Sequence, residues 1–285
     1  MYINQVIYKT QFPDYIQKCS VSDRVKTYFK DLYHRYKSEL TMDMSLPIYN
    51  YDQLGKLLFH EIQRNGDLNS ADTILFPLWA ITWNMDYAVP EFHWKNEFGV
   101  NALFQDIRDC GSLCVYYALN ILLTLNEAKL QKNVLCCSVE NAWLPHENAK
   151  TLYASEINYI ASLACSSDLQ GTQPIKILSS KIFKLQTINS NTEFNEMINA
   201  HLKSHQINGD DFIIYTRKND EDHHTANNIA ISYQTTSGFI YYCLDMLFKN
   251  RQKVNFKYAF VIDYDESHSS MGVLLLQMNA GTVYA

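Results

Sequence analysis

Apolar and polar positions divide the chain into short runs that alternate and longer runs with a helical period. Tyr2 to Lys9 alternates and predicts a first strand. Residues 12–50 are polar and aromatic, with a helical segment around Asp23 to Tyr36 and a breaker at Pro47. Leu54, Leu57, Leu58 and Ile62 share one face of a helix that Asp52 can cap and that Asn65-Gly66-Asp67 stops. Thr73 to Leu78 predicts a short buried strand. The next unit organises everything else: an apolar run Ala102 to Ile107, a tight Cys110-Gly111-Ser112 corner, an apolar helical segment Leu113 to Leu125, and a strand Asn133 to Val139 that is apolar on both faces. Strand, corner, buried helix and buried strand predict a βαβ unit in a parallel sheet covered on both sides.

The second part of the chain repeats this plan. Strands are predicted over Tyr159–Cys165 and Lys176–Leu185, then a helix from Thr192 to His205 with Phe194, Met197, Ile198 and Leu202 on one face. Asp211 to Thr216 is a buried strand, Asn227 to Tyr233 follows a polar loop, and Gln234 to Gly238 opens a buried helix, Phe239 to Phe248. Tyr258 to Asp263 and Gly272 to Met278 close the chain. Each half reads helix, strand, helix at a tight corner, strand, strand, which predicts two similar α/β halves packed as one body. The polar stretch Ser166 to Pro174 divides them into residues 1–170 and 171–285.

Composition narrows the function classes. With 47 % hydrophobic and 19 % charged residues, the 285-residue chain is globular. Its 24 basic and 30 acidic residues give a net charge of −6 without a basic block, which argues against nucleic acid as a partner. No apolar run is long enough for a membrane span and Met1 to Phe12 has no signal-peptide pattern, so a cytoplasmic location is the expectation. Seven scattered cysteines without metal-ligand spacing argue against disulfides and a zinc site. Only nine glycines and no Gly-rich phosphate loop give no sign of a nucleotide, and no cofactor is expected.

The order of elements resembles the thiolase superfamily, and within it the β-ketoacyl-ACP synthase III branch. The residues that carry the resemblance are the Ala102–Ile107 strand, the Cys110 corner, and Asn133 to Glu140 with its Cys137-Ser138-Val139-Glu140 turn. In the second half they are Asp211 to Asn219 and the Gln234 to Ser237 turn. The resemblance implies two pseudo-repeated halves with buried central sheets in a layered α-β-α-β-α arrangement. It also implies a set of three catalytic residues: a Cys that takes an acyl group from a thioester, and a His and an Asn that stabilise the developing charge. On these positions the chain has Thr216 in place of the His and Thr235 in place of the Asn. Neither hydroxyl replaces an imidazole or an amide donor. Counting from Asp106-Ile107 puts Gly111 at the nucleophile position, counting back from Tyr117-Ala118-Leu119 puts Ser112 there, and Cys110 falls one or two residues early.

That departure resembles the non-catalytic subunits of paired synthase III-like proteins in bacterial secondary metabolism, the alkylquinolone synthase heterodimer among them. It implies a chain that pairs with an active synthase III-like subunit and meets acyl-ACP or acyl-CoA through that partner. The alternative is an active acyltransferase that forms an acyl thioester on Cys110 with a non-standard set. Cys110 is a candidate nucleophile at a helix N-terminus or a small buried residue. Ser112 is a weaker candidate, because no base is visible beside it in the sequence. His223 and His224 lie in an acidic loop and read as a solvated pair before a base or a metal site. Trp79, Trp83, Phe92 and Trp94 fit an acyl tunnel, a partner face or plain packing, and Glu140 a structural or interface hydrogen bond.

Overall fold

The computed structural model describes residues 1–16, 18–19, 48–49, 51–66, 68–77, 90–108, 110–140, 158–168, 174–184, 191–207, 211–217, 228–231, 238–265 and 269–278. The first half contains β1 (Tyr2–Lys9), β2 (Lys18–Cys19), β3 (Ile48–Tyr49), α1 (Tyr51–Arg64), β4 (Thr73–Pro77), α2 (Pro90–Glu97), β5 (Leu103–Ile107), α3 (Cys114–Glu127), β6 (Asn133–Glu140) and β7 (Tyr159–Ser166). The second contains β8 (Ile175–Lys184), α4 (Asn191–Ser204), β9 (Phe212–Arg217), β10 (Asn228–Ile231), α5 (Phe239–Asn250), β11 (Tyr258–Asp265) and β12 (Ser270–Gln277). The segment Asp23–Tyr36, the corner residues Thr235 to Ser237, His223, His224, Trp79, Trp83 and the middle of the expected linker lie outside the described residues.

Among the described residues, ten strands form one hydrogen-bonded sheet in the order β10-β9-β11-β12-β8-β1-β7-β6-β4-β5. Read outward from its centre, each half has its first strand innermost, then its fifth, fourth, second and third, with the short β2–β3 pair set apart. The expected βαβ unit is present: β5 and β6 flank β4 and run parallel to it. The whole sheet is mixed, because β7, β1, β8 and β12 join the two parallel groups through antiparallel pairs. β1 and β8 meet only at Tyr2–Lys176 and Ile3–Ile175. There the sheet turns back on itself, so that α3 packs on β4 and β6 of its own half and on β8 and β12 of the other.

Three cores follow from the alternation of strand side chains. The middle one buries α3 and α5 between the half-sheets, with Leu75, Val134, Cys136, Val261 and Leu274 facing them. Leu54, Leu58 and Ile62 of α1 cover the outer face of the first half, and Phe194, Ile198 and Leu202 of α4 that of the second. Helix, sheet, helices, sheet, helix is the layered arrangement expected above. Trp94 is fully buried in the first outer core, packed between Tyr51, Phe59 and Phe76. Its indole N–H donates to Asp52 Oδ1 at 2.9 Å. Gly55 is what admits it, since a Cβ there would stand 1.9 Å from the Trp94 ring.

Candidate active site

The corner between β5 and α3 is set by one backbone angle. Gly111 has φ +59°, a left-handed conformation that favours glycine. It turns the chain from the end of β5 into a single 3-10 turn, Gly111–Leu113, that runs directly into α3. Cys110 precedes this turn and its side chain gives the helix no cap. The Cys110 thiol instead donates back to the Arg108 carbonyl at 3.2 Å, and Arg108 is paired with Asp106 at 2.6 Å. Among the described free cysteines, Cys110 alone is not fully buried.

The cap that Cys110 does not supply comes from the other half. Ser112 N–H donates to Asp265 Oδ2 at 2.7 Å, and the Ser112 hydroxyl lies 3.2 Å from the same oxygen. Asp265 is the last residue of β11 and is buried. A carboxylate thus stands where the positive end of the α3 dipole would receive an anion. The sequence shows no base beside Ser112; the structure supplies a carboxylate from 153 residues away. The expected strand Tyr258–Asp263 stopped two residues short of Asp265, which hid it. Asp263 and Asp265 both follow Ala259 and Val261 in facing the middle core, so an alternating pair of acids at the end of an apolar run was the available signal.

The end of β9 carries a second charged group. Thr216 is buried and lies in register with Ile262 of β11 and Ala230 of β10. It shares the parity of Ile214, which packs under α4, and therefore faces the outer core. Arg217, one residue on, shares the parity of Tyr215 and faces the middle core. Its guanidinium holds Asp263 through two bonds of 2.8 Å, Nε to Oδ1 and Nη2 to Oδ2. It also lies 5.3 Å from the Phe239 ring, at the first residue of α5. Burial pushes the Asp263 carboxyl up, against the pull of Arg217. At the end of β9 the side chain that faces the middle core is thus the cation Arg217, next to Thr216 in the chain.

Strand β6 completes the surroundings. Cys136, Ser138 and Glu140 face the middle core in turn. Cys136 Sγ meets the Tyr241 hydroxyl at 3.4 Å and Ser138 Oγ the Tyr159 hydroxyl at 3.0 Å. Burial, then the nearby Glu140, Cys136 and Cys110, hold the Cys114 thiol well above its usual range. Burial likewise raises Cys136 to about 12. These thiols are inert at neutral pH. Ser112 thus meets Asp265, Arg217 meets Asp263, and Cys110 and Glu140 both lie near Cys114, while Thr216 faces the outer core.

No family model and no curated protein matches the sequence. Solved structures do. The tetronic acid condensing enzyme AbyA1 aligns over 97 % of this chain and 100 % of its own, with a TM-score of 0.65 at 9 % identity. ChlB3, an acyltransferase, aligns over 97 % of both chains with a TM-score of 0.63 at 9 % identity. The 3-oxoacyl-[acyl-carrier-protein] synthase III from Aquifex aeolicus aligns over 84 % of this chain and 85 % of its own, with a TM-score of 0.55 at 11 % identity. No helix among the described residues is long and apolar enough to cross a membrane. By its strand order, its layers and these likenesses, the chain has a thiolase-like fold of the kind found in synthase III-type condensing enzymes.

Proposed function

We propose that this chain is a synthase III-like subunit that transfers no acyl group itself and pairs with an active synthase III-like partner. In that role it completes the partner's fold and acyl channel, and it meets acyl-ACP or acyl-CoA only through the partner. The observation that carries this reading is the Asp265 carboxylate bound to Ser112 N–H at 2.7 Å. Acyl transfer through a thioester needs a thiolate and donors aimed at the oxyanion that develops on the carbonyl. Here the amide at the start of the helix is committed to an anion that already fills the position. Asp265 and Glu140 add negative charge where a thiolate would form. The Cys110 thiol is itself a donor, to the Arg108 carbonyl at 3.2 Å.

The pairing surface in this reading is β5, the end strand of the sheet among the described residues. Leu103 is 57 % exposed on it, and Tyr117 is 37 % exposed on the neighbouring α3. A strand edge with no further strand beside it among the described residues, next to exposed apolar side chains, fits the addition of a partner strand. Co-expression with a synthase III-like protein encoded nearby is expected to give a heterodimer or heterotetramer by light scattering. A Leu103→Asp chain is expected to fail to assemble. An active homodimer of this chain alone would end the reading.

One observation favours a second reading, an acyltransferase acting through Cys110: that thiol is partly accessible and stands at the turn into α3. Incubation with acyl-CoA of several chain lengths, followed by intact mass, separates the two. An adduct that disappears in Cys110→Ala would replace the first reading with the second.

A further inference from the structure

The layer between α4 and the second half-sheet is apolar except at one place. Phe194, Ile198 and Leu202 pack on Ile214, Phe260 and Leu275. Within it, β8 changes register against β12: Leu276 pairs with Ile177 and Leu275 with Ser179. The bulge turns both Leu178 and Ser179 toward α4. Leu178 joins the apolar layer, and Ser179 Oγ meets His201 Nε2 at 2.5 Å. Both residues are buried, at 7 % and 5 % exposure. Among the described residues, the charged and titratable groups around the imidazole are Lys181, two residues along β8, and His205, one turn along α4, its ring 5.4 Å away. The Phe260 ring of β11 stands edge-on at 6.2 Å. β9 and β12 bring the apolar Phe212, Ile214, Met271, Val273 and Leu275, with Thr216 at the end of β9 on the same face, and β11 adds Ile262 and the phenols of Tyr258 and Tyr264.

We propose that the Ser179–His201 contact is an acid-sensitive latch that holds α4 on the sheet. It is closed while His201 is neutral and accepts the Ser179 hydroxyl, and it opens once His201 carries a proton. A neutral imidazole satisfies the serine without bringing charge into an apolar layer. An imidazolium there loses its hydration and faces Lys181, with a second imidazole beside it. Burial first, then Lys181 and His205, lower the His201 pKa to about 4 in the closed state. His205 is lowered in the same direction by burial and by Lys181. Once α4 lifts, His201 returns to its ordinary 6.5. The closed state therefore binds fewer protons. The contribution of the neutral His201 to closure is fully present above pH 6.5 and is lost as pH falls toward 4. Linkage between those two values makes opening about 30-fold more favourable at pH 5 than at pH 8. This inference stands apart from the proposed function.

Hydrogen exchange of the whole chain tests it, with each rate divided by the intrinsic rate at its pH. Protection over residues 191–204 is expected to fall about 30-fold between pH 8 and pH 5, while protection over residues 51–64 holds. His201→Gln, whose amide oxygen reaches the position of Nε2, keeps a neutral acceptor for Ser179 at every pH and should remove most of the effect, leaving the smaller part that His205 adds. Lys181→Met, at an exposed position, removes a charge that opposes protonation and should make the effect smaller. Equal protection of α4 at both pH values, joint loss of α4 and α1, or acid opening that is undiminished in His201→Gln would each overturn the proposal. Should His201→Gln fail to fold, Lys181→Met decides: a smaller pH dependence supports the latch and an unchanged one overturns it.

Discussion

The two halves run their strands in the same order, yet corresponding strands end in different chemistry. β6 and β11 are each eight residues long and occupy the same place in their half. β6 ends in Ser138-Val139-Glu140 and β11 in Asp263-Tyr264-Asp265. Ser138 bonds locally to Tyr159, across one strand pair. Asp263 and Asp265 instead work at a distance, one holding Arg217 and the other capping α3 of the opposite half. The outer layers differ too. The first is aromatic, with Phe59, Phe76 and Phe104 stacked at 5.7–6.2 Å around Trp94. The second is largely aliphatic and carries the polar Ser179–His201 contact. The shared topology asks only for apolar faces of the right period. Charge is free to differ, and here it is concentrated at the end of one strand.

Removing Arg217 should produce the largest effect. Arg217→Met leaves Asp263 buried without its cation and is expected to lower stability by about 3–5 kcal/mol, measured by urea unfolding at pH 7. The sign with pH is specific. Burial already raises the Asp263 pKa, and losing the guanidinium raises it further. The folded variant then takes up a proton more readily than the unfolded chain, so its deficit should shrink on acidification. The double variant Arg217→Met/Asp263→Leu should recover most of the loss, because an apolar pair of similar volume needs no compensation. No recovery would mean that the pair organises its surroundings through other contacts.

Gly55→Ala tests the aromatic half. The added carbon would sit 1.9 Å from the Trp94 ring, so the indole must move out of a closed core. A loss of about 3 kcal/mol is expected, the upper part of the usual range for overpacking, together with a changed tryptophan emission. Asp265→Asn comes next. It keeps the shape of the side chain but removes the charge from the α3 N-terminus, and about 1–3 kcal/mol should be lost. An unchanged midpoint would show that the α3 amide is satisfied without that charge.

The element order was legible because most strands and helices here obey one period each. Leu54, Leu57, Leu58 and Ile62 mark α1, and their side chains are indeed its buried face. Cys110-Gly111-Ser112 was legible as a corner, since glycine takes the φ of +59° that the turn requires. The chemistry of the corner was not. Ser112 and Asp265 are joined only when the sheet turns back at β1–β8, and nothing local to either residue announces it. Thr216 and Arg217 show a different limit. Neighbouring strand residues point to opposite faces, so which of the two enters the middle core follows from how the strand sits in the sheet. Arg217, on the other parity, is the side chain that reaches the middle core.

The smallest difference between the halves is electrostatic and lies at the surface. Lys56 of α1 bridges Asp52 and Glu97, each at 3.0 Å, and so ties α1 to α2. Asp52 also accepts the Trp94 indole, which joins that network to the aromatic core. Burial works against the Lys56 charge, but the bonds to Glu97 and Asp52 outweigh it and raise the Lys56 pKa. Among the described residues, Lys249 of α5 pairs with Asp245 on its own helix, at 2.6 Å, with 67 % of its side chain exposed. Lys249→Met is therefore expected to change stability by less than about 0.5 kcal/mol, as for an isolated exposed pair four residues apart. Lys56→Met should cost about 1 kcal/mol, because three side chains and two helices share it. Added salt should erase the smaller loss first, since exposed pairs are screened more than partly buried ones. Equal losses for the two lysines would show that the Lys56 network adds nothing beyond its single pairs, and that the first half relies on its aromatic core alone.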